Sequence, residues 1–289
     1  MHTEYPTHDQ AYFIGLPQWH HPNWYPEHSG PNQALQQYTQ HFSSVEGNSS
    51  FYGLPNESTI QQWKQQSSPS FRFCFKFPQT ITHHLKLQHS DRLLTEFLNR
   101  ITPLEHKLGI LWLQLNASFG PQDLEILERF INRLPTDFSY AIEVRHSGFF
   151  NKDDLEKRFN QILMRRSVNR ITFDTRALFS HPAGDPITQE ALKAKPRMPV
   201  HVIATGQHPF VRIITPLNIG DGYAYLIPWI NKTLEWIDEG RTPYLFFHTP
   251  DNKEAPAVAS FFAAEIHKQR PNIPALTLWN QHSPQPELF

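Results

Sequence analysis

One feature of the 289-residue chain limits its fold more than any other: short apolar runs of strand character alternate with stretches whose apolar residues recur every three or four positions. The runs fall at residues 12–15, 44–48, 71–77, 109–115, 140–144, 170–174, 210–214 and 244–248, eight in all. Between them, Leu124, Leu127, Ile131 and Leu134 repeat at helical spacing, as do Leu226, Ile230, Leu234 and Ile237, so each segment has one face to bury. Helices are also expected around 34–41, 60–66, 91–101, 153–165 and 255–270, with Asp91 and Asp153 placed to accept the unpaired N–H groups of a first turn. Such alternation implies parallel strands joined by crossover helices. Eight units predict an α/β chain closed into a TIM-type (β/α)8 barrel or a close variant. A doubly wound open sheet has a similar linear pattern. However, no G-x-G-x-x-G follows the first run and no G-x-x-x-x-G-K-[ST] occurs anywhere, so the commonest uses of the open sheet lose support.

A single barrel domain over 1–289 accounts for the length, since no Gly/Ser linker or charge block divides the chain and 25 prolines against 12 glycines suggest stiffened loops. The weak link is the Pro-rich stretch 175–200, with HPAGDP and KAKPRMP, which has no clean helical pattern and reads as a long active-site loop or a poorly ordered excursion. Twenty-two Phe and seven Trp supply an aromatic core, each burial contributing roughly 1.5–3 kcal/mol. The lone cysteine, Cys74, excludes an internal disulfide and is expected as a small buried hydrophobe. The opening MHTEYPTHDQ is polar and no apolar run nears the ~18 residues of a membrane span, so neither a signal peptide nor a membrane helix is expected, and the cytoplasm is the expected compartment. A formal net charge of −1 removes the broad basic field that nucleic-acid binding relies on. Oligomeric state is left open.

Most of the runs end in, or run into, groups that are expensive to bury: Glu46 with Asn48, Lys76, Gln114, Glu143 with Arg145 and His146, Asp174, Arg212 and His248. In a parallel barrel all the C-terminal strand ends share one rim, so these residues are expected to converge. The convergence is either a sealing network of salt bridges or a ligand site. The mixture of carboxylates, cations and histidines exceeds what mutual neutralisation needs and favours the site. Glu46 and Glu143, with Asp174 as a third, are candidate acid/base groups, and Arg145 and Arg212 suit a clamp on an anion. A divalent metal is possible, but no H-E-x-x-H or cysteine pair supports one and no metal ligands are assigned; cofactors are otherwise unknown. His2, His8, His20, His21, His28, His84 and His89 read as solvated loop or tail residues, and no G-x-S-x-G elbow offers a serine nucleophile.

At these positions the sequence resembles a known family. FSSVEGNSSFYGLP, FRFCFKFPQTITHHL, LGILWLQLNASF and YAIEVRHSGFF are similar to successive signatures of the YecE-like proteins, a domain of unknown function, with the resemblance running over about 13–266. The resemblance implies a TIM-type barrel and recurring polar positions at Glu46, Asn48, Tyr52, Lys76, His83, Gln114, Glu143, Arg145, His146, Asp174 and Arg212; it attaches no reaction. Three departures imply an edited mouth: GLPQWHHPNWYP is shorter than the family's first loop, VRIIT stands where the family has an arginine strand ending in His-Gly, and FFHTPDN replaces an Asn-rich ending, with His248 in place of an asparagine.

The leading expectation is an enzyme performing acid/base chemistry on a small polar or anionic metabolite. Glu46, Glu143 and Asp174 would be its catalytic candidates, with His83 or His146 assisting. Asn48, Lys76, Gln114, Arg145, Arg212 and His248 would bind substrate, and Trp19, Trp24 and Tyr52 would cover a sugar or base face unless they are packing caps. The alternatives are a non-catalytic binding or regulatory barrel and metal-assisted phosphodiester chemistry. Nucleic acid and membrane are not expected partners.

Overall fold

The computed structural model describes residues 10–25 and 33–279, so His2, His8 and His28 lie outside the described residues. Eight parallel strands follow the predicted runs closely: β1 Phe13–Leu16, β2 Ser44–Gly47, β3 Arg72–Phe75, β4 Ile110–Gln114, β5 Ser139–Glu143, β6 Asn169–Asp174, β7 Phe210–Ile214 and β8 Tyr244–His248. They form one sheet in the order β3-β2-β1-β8-β7-β6-β5-β4. The seam between β3 and β4 closes through two isolated parallel bridges, Phe73 with Leu108 and Lys76 with Trp112, giving a nearly closed TIM-type barrel. At this seam the Ile110 N–H turns to the Cys74 sulfur, 3.3 Å away, so part of the regular ladder is replaced by a side-chain contact.

The helices are α1 Ala34–His41, α2 Ser49–Tyr52, α3 Glu57–Gln66, α4 Asp91–Ile101, α5 Leu124–Arg133, α6 Asp154–Arg165, α7 Arg176–Phe179, α8 Pro186–Ala194, α9 Tyr223–Asp238 and α10 Ala255–Gln269. Asp153 caps α6 as expected, accepting the Glu156 N–H at 3.0 Å. Asp91 does not cap α4; it is the first residue of the helix and pairs instead with Arg133 at 2.7 Å. The stretch 175–200 is more regular than its sequence suggests, because α7 and α8 lie within it. Asp185 caps α8 by accepting the Thr188 N–H at 2.8 Å, and Pro186 occupies the first helical position, where its missing N–H costs nothing.

The two-residue period of each strand sorts its side chains between the barrel interior and the helical layer. In FRFCFKF, Phe71, Phe73, Phe75 and Phe77 all point outward into the main core, where Trp63 of α3 stacks on Phe73 and Phe75. Arg72, Cys74 and Lys76 occupy the alternate positions. Cys74 is buried in a separate apolar cluster with Phe13, Trp112, Phe210, Tyr244 and Phe246, which plugs the lower half of the barrel. Burial pushes its thiol up to about 12, so it packs as an unreactive hydrophobe. Gly15 permits the closest strand approach, since a Cβ there would run into the carbonyl oxygen of Ser44 on β2.

A buried ion pair fixes the outer layer. Arg170, outward on β6, donates to Glu156 of α6 at 2.8 Å, and His201 meets the same carboxylate at 2.6 Å, tying the segment after α8 to the barrel wall. No described helix is long and apolar enough to cross a membrane.

Candidate active site at the barrel mouth

Above the apolar plug the same inward positions turn polar. Glu46 is the penultimate residue of β2, Lys76 follows β3, Gln114 ends β4, Glu143 ends β5, Arg212 lies in β7 and His248 ends β8, and all six are buried. Arg212 is the hub. Its Nε and Nη2 donate to the two oxygens of Glu46, each at 2.8 Å, and its Nη1 donates to Glu143. The guanidinium lies over the Phe173 ring, 4.3 Å from its centroid, and 5.0 Å from that of Trp112. Glu46 also accepts from Asn48 at 2.8 Å and from His248 Nε2 at 2.9 Å. Glu143 accepts from Gln114 at 2.8 Å and from Arg145 Nε at 2.8 Å. Gln114 in turn accepts from Lys76 Nζ at 2.9 Å.

These contacts decide the protonation states. Burial opposes charge on Glu46 and Glu143, but Arg212, with His248 beside Glu46 and Arg145 beside Glu143, outweighs it. Glu46 is held well below the usual carboxylate range and Glu143 falls to about 2. Burial likewise opposes charge on Arg212, and the two carboxylates hold it above its ordinary value. Burial and the nearby Arg212 push Lys76 down to about 7, against the pull of Glu143. Burial, helped by Lys76 and Arg145, lowers His83 to about 4. His248 is also lowered, chiefly by burial, so its bond to Glu46 is that of a neutral ring donating from Nε2.

The sequence reading missed two members of the site. Lys195, just past α8 and half-buried, is depressed by burial and by Arg212 and also feels Glu46, Arg145 and Glu143, so it lies within electrostatic reach of the charged layer without a side-chain bond to it among the described residues. Nothing distinguishes it in sequence from its exposed neighbour Lys193; only the capped helix start at Asp185-Pro186 was legible. Phe51 of α2 offers its ring face to Lys76, 3.7 Å from the centroid, and its edge to His83.

Several expected residues lie elsewhere. Asp174 falls one position out of phase with its inward neighbour Phe173, so its carboxylate leaves the barrel, accepting from Arg176 Nη2 at 2.7 Å and from the Trp229 indole of α9 at 2.8 Å. His146 turns its Nδ1 onto the Gly148 N–H at 3.0 Å and caps the turn Ser147–Phe149. Trp19 packs against Trp63 outside the barrel, 5.1 Å between centroids, and Trp24 donates to the carbonyls of Asn252 and Lys253, so both are packing caps. Tyr52 is 77% exposed beside Phe51 and does not reach the charged layer. Of the histidines expected in solvent, His20, His84 and His89 are exposed, whereas His21 stacks on Trp24 at 5.3 Å.

Room is tight on one side of the mouth. A cavity of about 10 Å3, enough for roughly one water, lies between Glu143, Arg145, Phe173, Pro196 and His201. A roomier cavity of about 550 Å3 lies at the opposite, N-terminal strand ends, lined by Tyr12, Ile14, Ser43, Ser70 and Leu276, and brings no charged cluster together. Among the described residues no three His, Cys, Asp or Glu side chains gather as metal donors.

An eight-stranded parallel barrel with a charged layer at its C-terminal strand ends defines the class: a TIM-type α/β barrel. Comparison with known proteins gives the narrower placement. The model of the family described as "Protein of unknown function DUF72" matches residues 13–286. UPF0759 protein YecE of Escherichia coli K12 is 40% identical over 271 residues, spanning 94% of this chain and 98% of that protein. UPF0759 protein YunF of Bacillus subtilis strain 168 is 26% identical over 147 residues, 48% of this chain and 52% of that protein. Crystal structures of DUF72 family proteins from Thermotoga maritima and Enterococcus faecalis share the fold, with TM-scores of 0.65 and 0.64 at 21% and 18% identity, over 89% and 91% of this chain and 98% of each structure. The chain therefore belongs to the DUF72 family, as a YecE-like member.

Proposed function

We propose that the mouth is the active site of an enzyme acting on a small polar or anionic metabolite, with Arg145 and Lys195 holding the negative charge and Lys76 exchanging the proton. The surplus of cations carries this reading: among the described residues Lys76, Arg145 and Arg212, with Lys195 within electrostatic reach, outnumber the two carboxylates of the layer, Glu46 and Glu143. Arg212 is committed to both carboxylates, whereas Arg145 bonds the protein through its Nε alone among the described side-chain contacts, leaving the rest of its fork to bind an anion. Glu46 and Glu143, depressed as they are, hold no proton near neutrality and are weak bases; they orient Arg212 and Gln114. Lys76, near 7, is better matched to proton transfer.

A non-catalytic barrel is the second reading. It draws support from the fact that all four oxygens of Glu46 and Glu143 already accept hydrogen bonds, as in a sealing network. Metal-assisted phosphodiester chemistry has no donor cluster among the described residues and no net basic charge behind it.

Calorimetric titration with inorganic phosphate and citrate at low salt separates the two readings. Saturable binding weakened about tenfold by Arg145→Ala or Lys195→Ala is expected, roughly one charge-assisted hydrogen bond each. No anion binding to the native protein, together with a large loss of melting temperature in Glu143→Gln, would establish the sealing role instead.

A further inference from the structure

We propose that Lys76 is a nucleophilic amine that condenses with the carbonyl group of an aldehyde or ketone bearing a carboxylate or phosphate. This deepens the anion-site reading above and rests on it. The geometry of the amine is the main argument. Lys76 Nζ has one side-chain partner among the described residues, the neutral amide oxygen of Gln114 at 2.9 Å. No carboxylate reaches it, because Gln114 stands between Lys76 and Glu143 and donates its own N–H to that glutamate at 2.8 Å. An amide at this position keeps the lysine oriented without fixing its proton, which a carboxylate would do. Arg212 and Arg145 further disfavour the ammonium and, with burial, outweigh the pull of Glu143 and Glu46 and the ring faces of Phe51 and Trp112, at 3.7 and 5.1 Å. With Lys76 near 7, about half of the molecules present a free lone pair at neutral pH.

The chemistry balances without a further reactant. The Nζ lone pair forms a bond to the carbonyl carbon, and a proton from nitrogen passes to oxygen to give the carbinolamine. Loss of one water, with the second N–H proton, leaves the C=N bond. The Arg145 fork and the Lys195 ammonium would take the acid group of the same molecule, which makes a short 2-oxo acid or a phosphorylated aldehyde the fitting class.

The test uses the full chain, glyoxylate as the anionic probe and propanal as its neutral counterpart, each with cyanoborohydride to trap the imine as a stable amine, followed by peptide mapping. The expected result is early labelling at Lys76, about tenfold faster with glyoxylate than with propanal, the effect of roughly one charge-assisted contact. Arg145→Ala should abolish that preference, and Gln114→Glu should slow labelling by restoring a carboxylate partner. Label spread over exposed lysines such as Lys157 and Lys193 with Lys76 spared would overturn the proposal. If glyoxylate competes with phosphate for the mouth yet no adduct forms at Lys76, the imine falls and the anion site stands. Equal rates with both aldehydes would remove the anion site, and the proposed substrate class with it.

Discussion

Replacing Arg212 by Met tests the mouth most severely, because it removes the shared counter-ion of two buried carboxylates while nearly keeping the side chain's length. The guanidinium donates three hydrogen bonds, two to Glu46 and one to Glu143. Removing one partner of a buried ion pair costs about 3–5 kcal/mol, since the remaining charge is left uncompensated. Glu143 keeps Arg145, but Glu46 keeps only Asn48 and a neutral His248, so the upper part of that range is expected. At roughly 2–4 °C per kcal/mol the melting temperature should fall by on the order of 10 °C. The pH dependence gives a second, sharper signature. In the native protein the folded pKa values of both glutamates are depressed, so their contribution is present above the unfolded carboxyl value of about 4.3 and is lost as pH falls toward about 2 for Glu143. In Arg212→Met the folded value of Glu46 should rise above its unfolded one, which reverses the sign: the variant loses stability as pH rises from the unfolded value of about 4.3 through the raised folded one. Urea denaturation at pH 7 and pH 4.5 should therefore show a gap between the two proteins that narrows at the lower pH. Adding Glu46→Gln to Arg212→Met should recover part of the loss at pH 7. A difference below about 1 kcal/mol at pH 7, or one that widens on acidification, would refute the assignment of Arg212 as the charge hub.

Three further outcomes follow from the packing. Asp174→Asn should cost about 1–2 kcal/mol in urea denaturation through its weakened bonds to Trp229 and Arg176, while leaving anion binding at the mouth unchanged. Gly15→Ala should destabilise by about 3 kcal/mol or more, or fail to fold, because β1 and β2 would have to separate around the Ser44 carbonyl; this is read from melting temperature and soluble yield. Glu156→Gln should loosen the segment after α8 by weakening its bonds to His201 and Arg170, and limited proteolysis should then cut first within 195–204.

The sequence by itself determined the architecture, because strand alternation and helical spacing are local patterns carried by each element separately. FRFCFKF could lie only with its phenylalanines on one face and Cys74 and Lys76 on the other. The shared rim of a parallel barrel then made the meeting of Glu46, Lys76, Gln114, Glu143, Arg212 and His248 legible before any coordinates. Tertiary structure alone decided the phase and the partners. Asp174 is a strand-end carboxylate like Glu143, yet a one-residue offset within a two-residue period sends it to Trp229 instead of the mouth. Lys195 comes within electrostatic reach of the mouth from a segment with no strand to direct it, between a capped helix and the His201 contact to Glu156. The proton affinities lie furthest from the sequence, because they depend on burial and on charges dozens of residues away: Glu46 and Arg212 are 166 positions apart and set each other's charge.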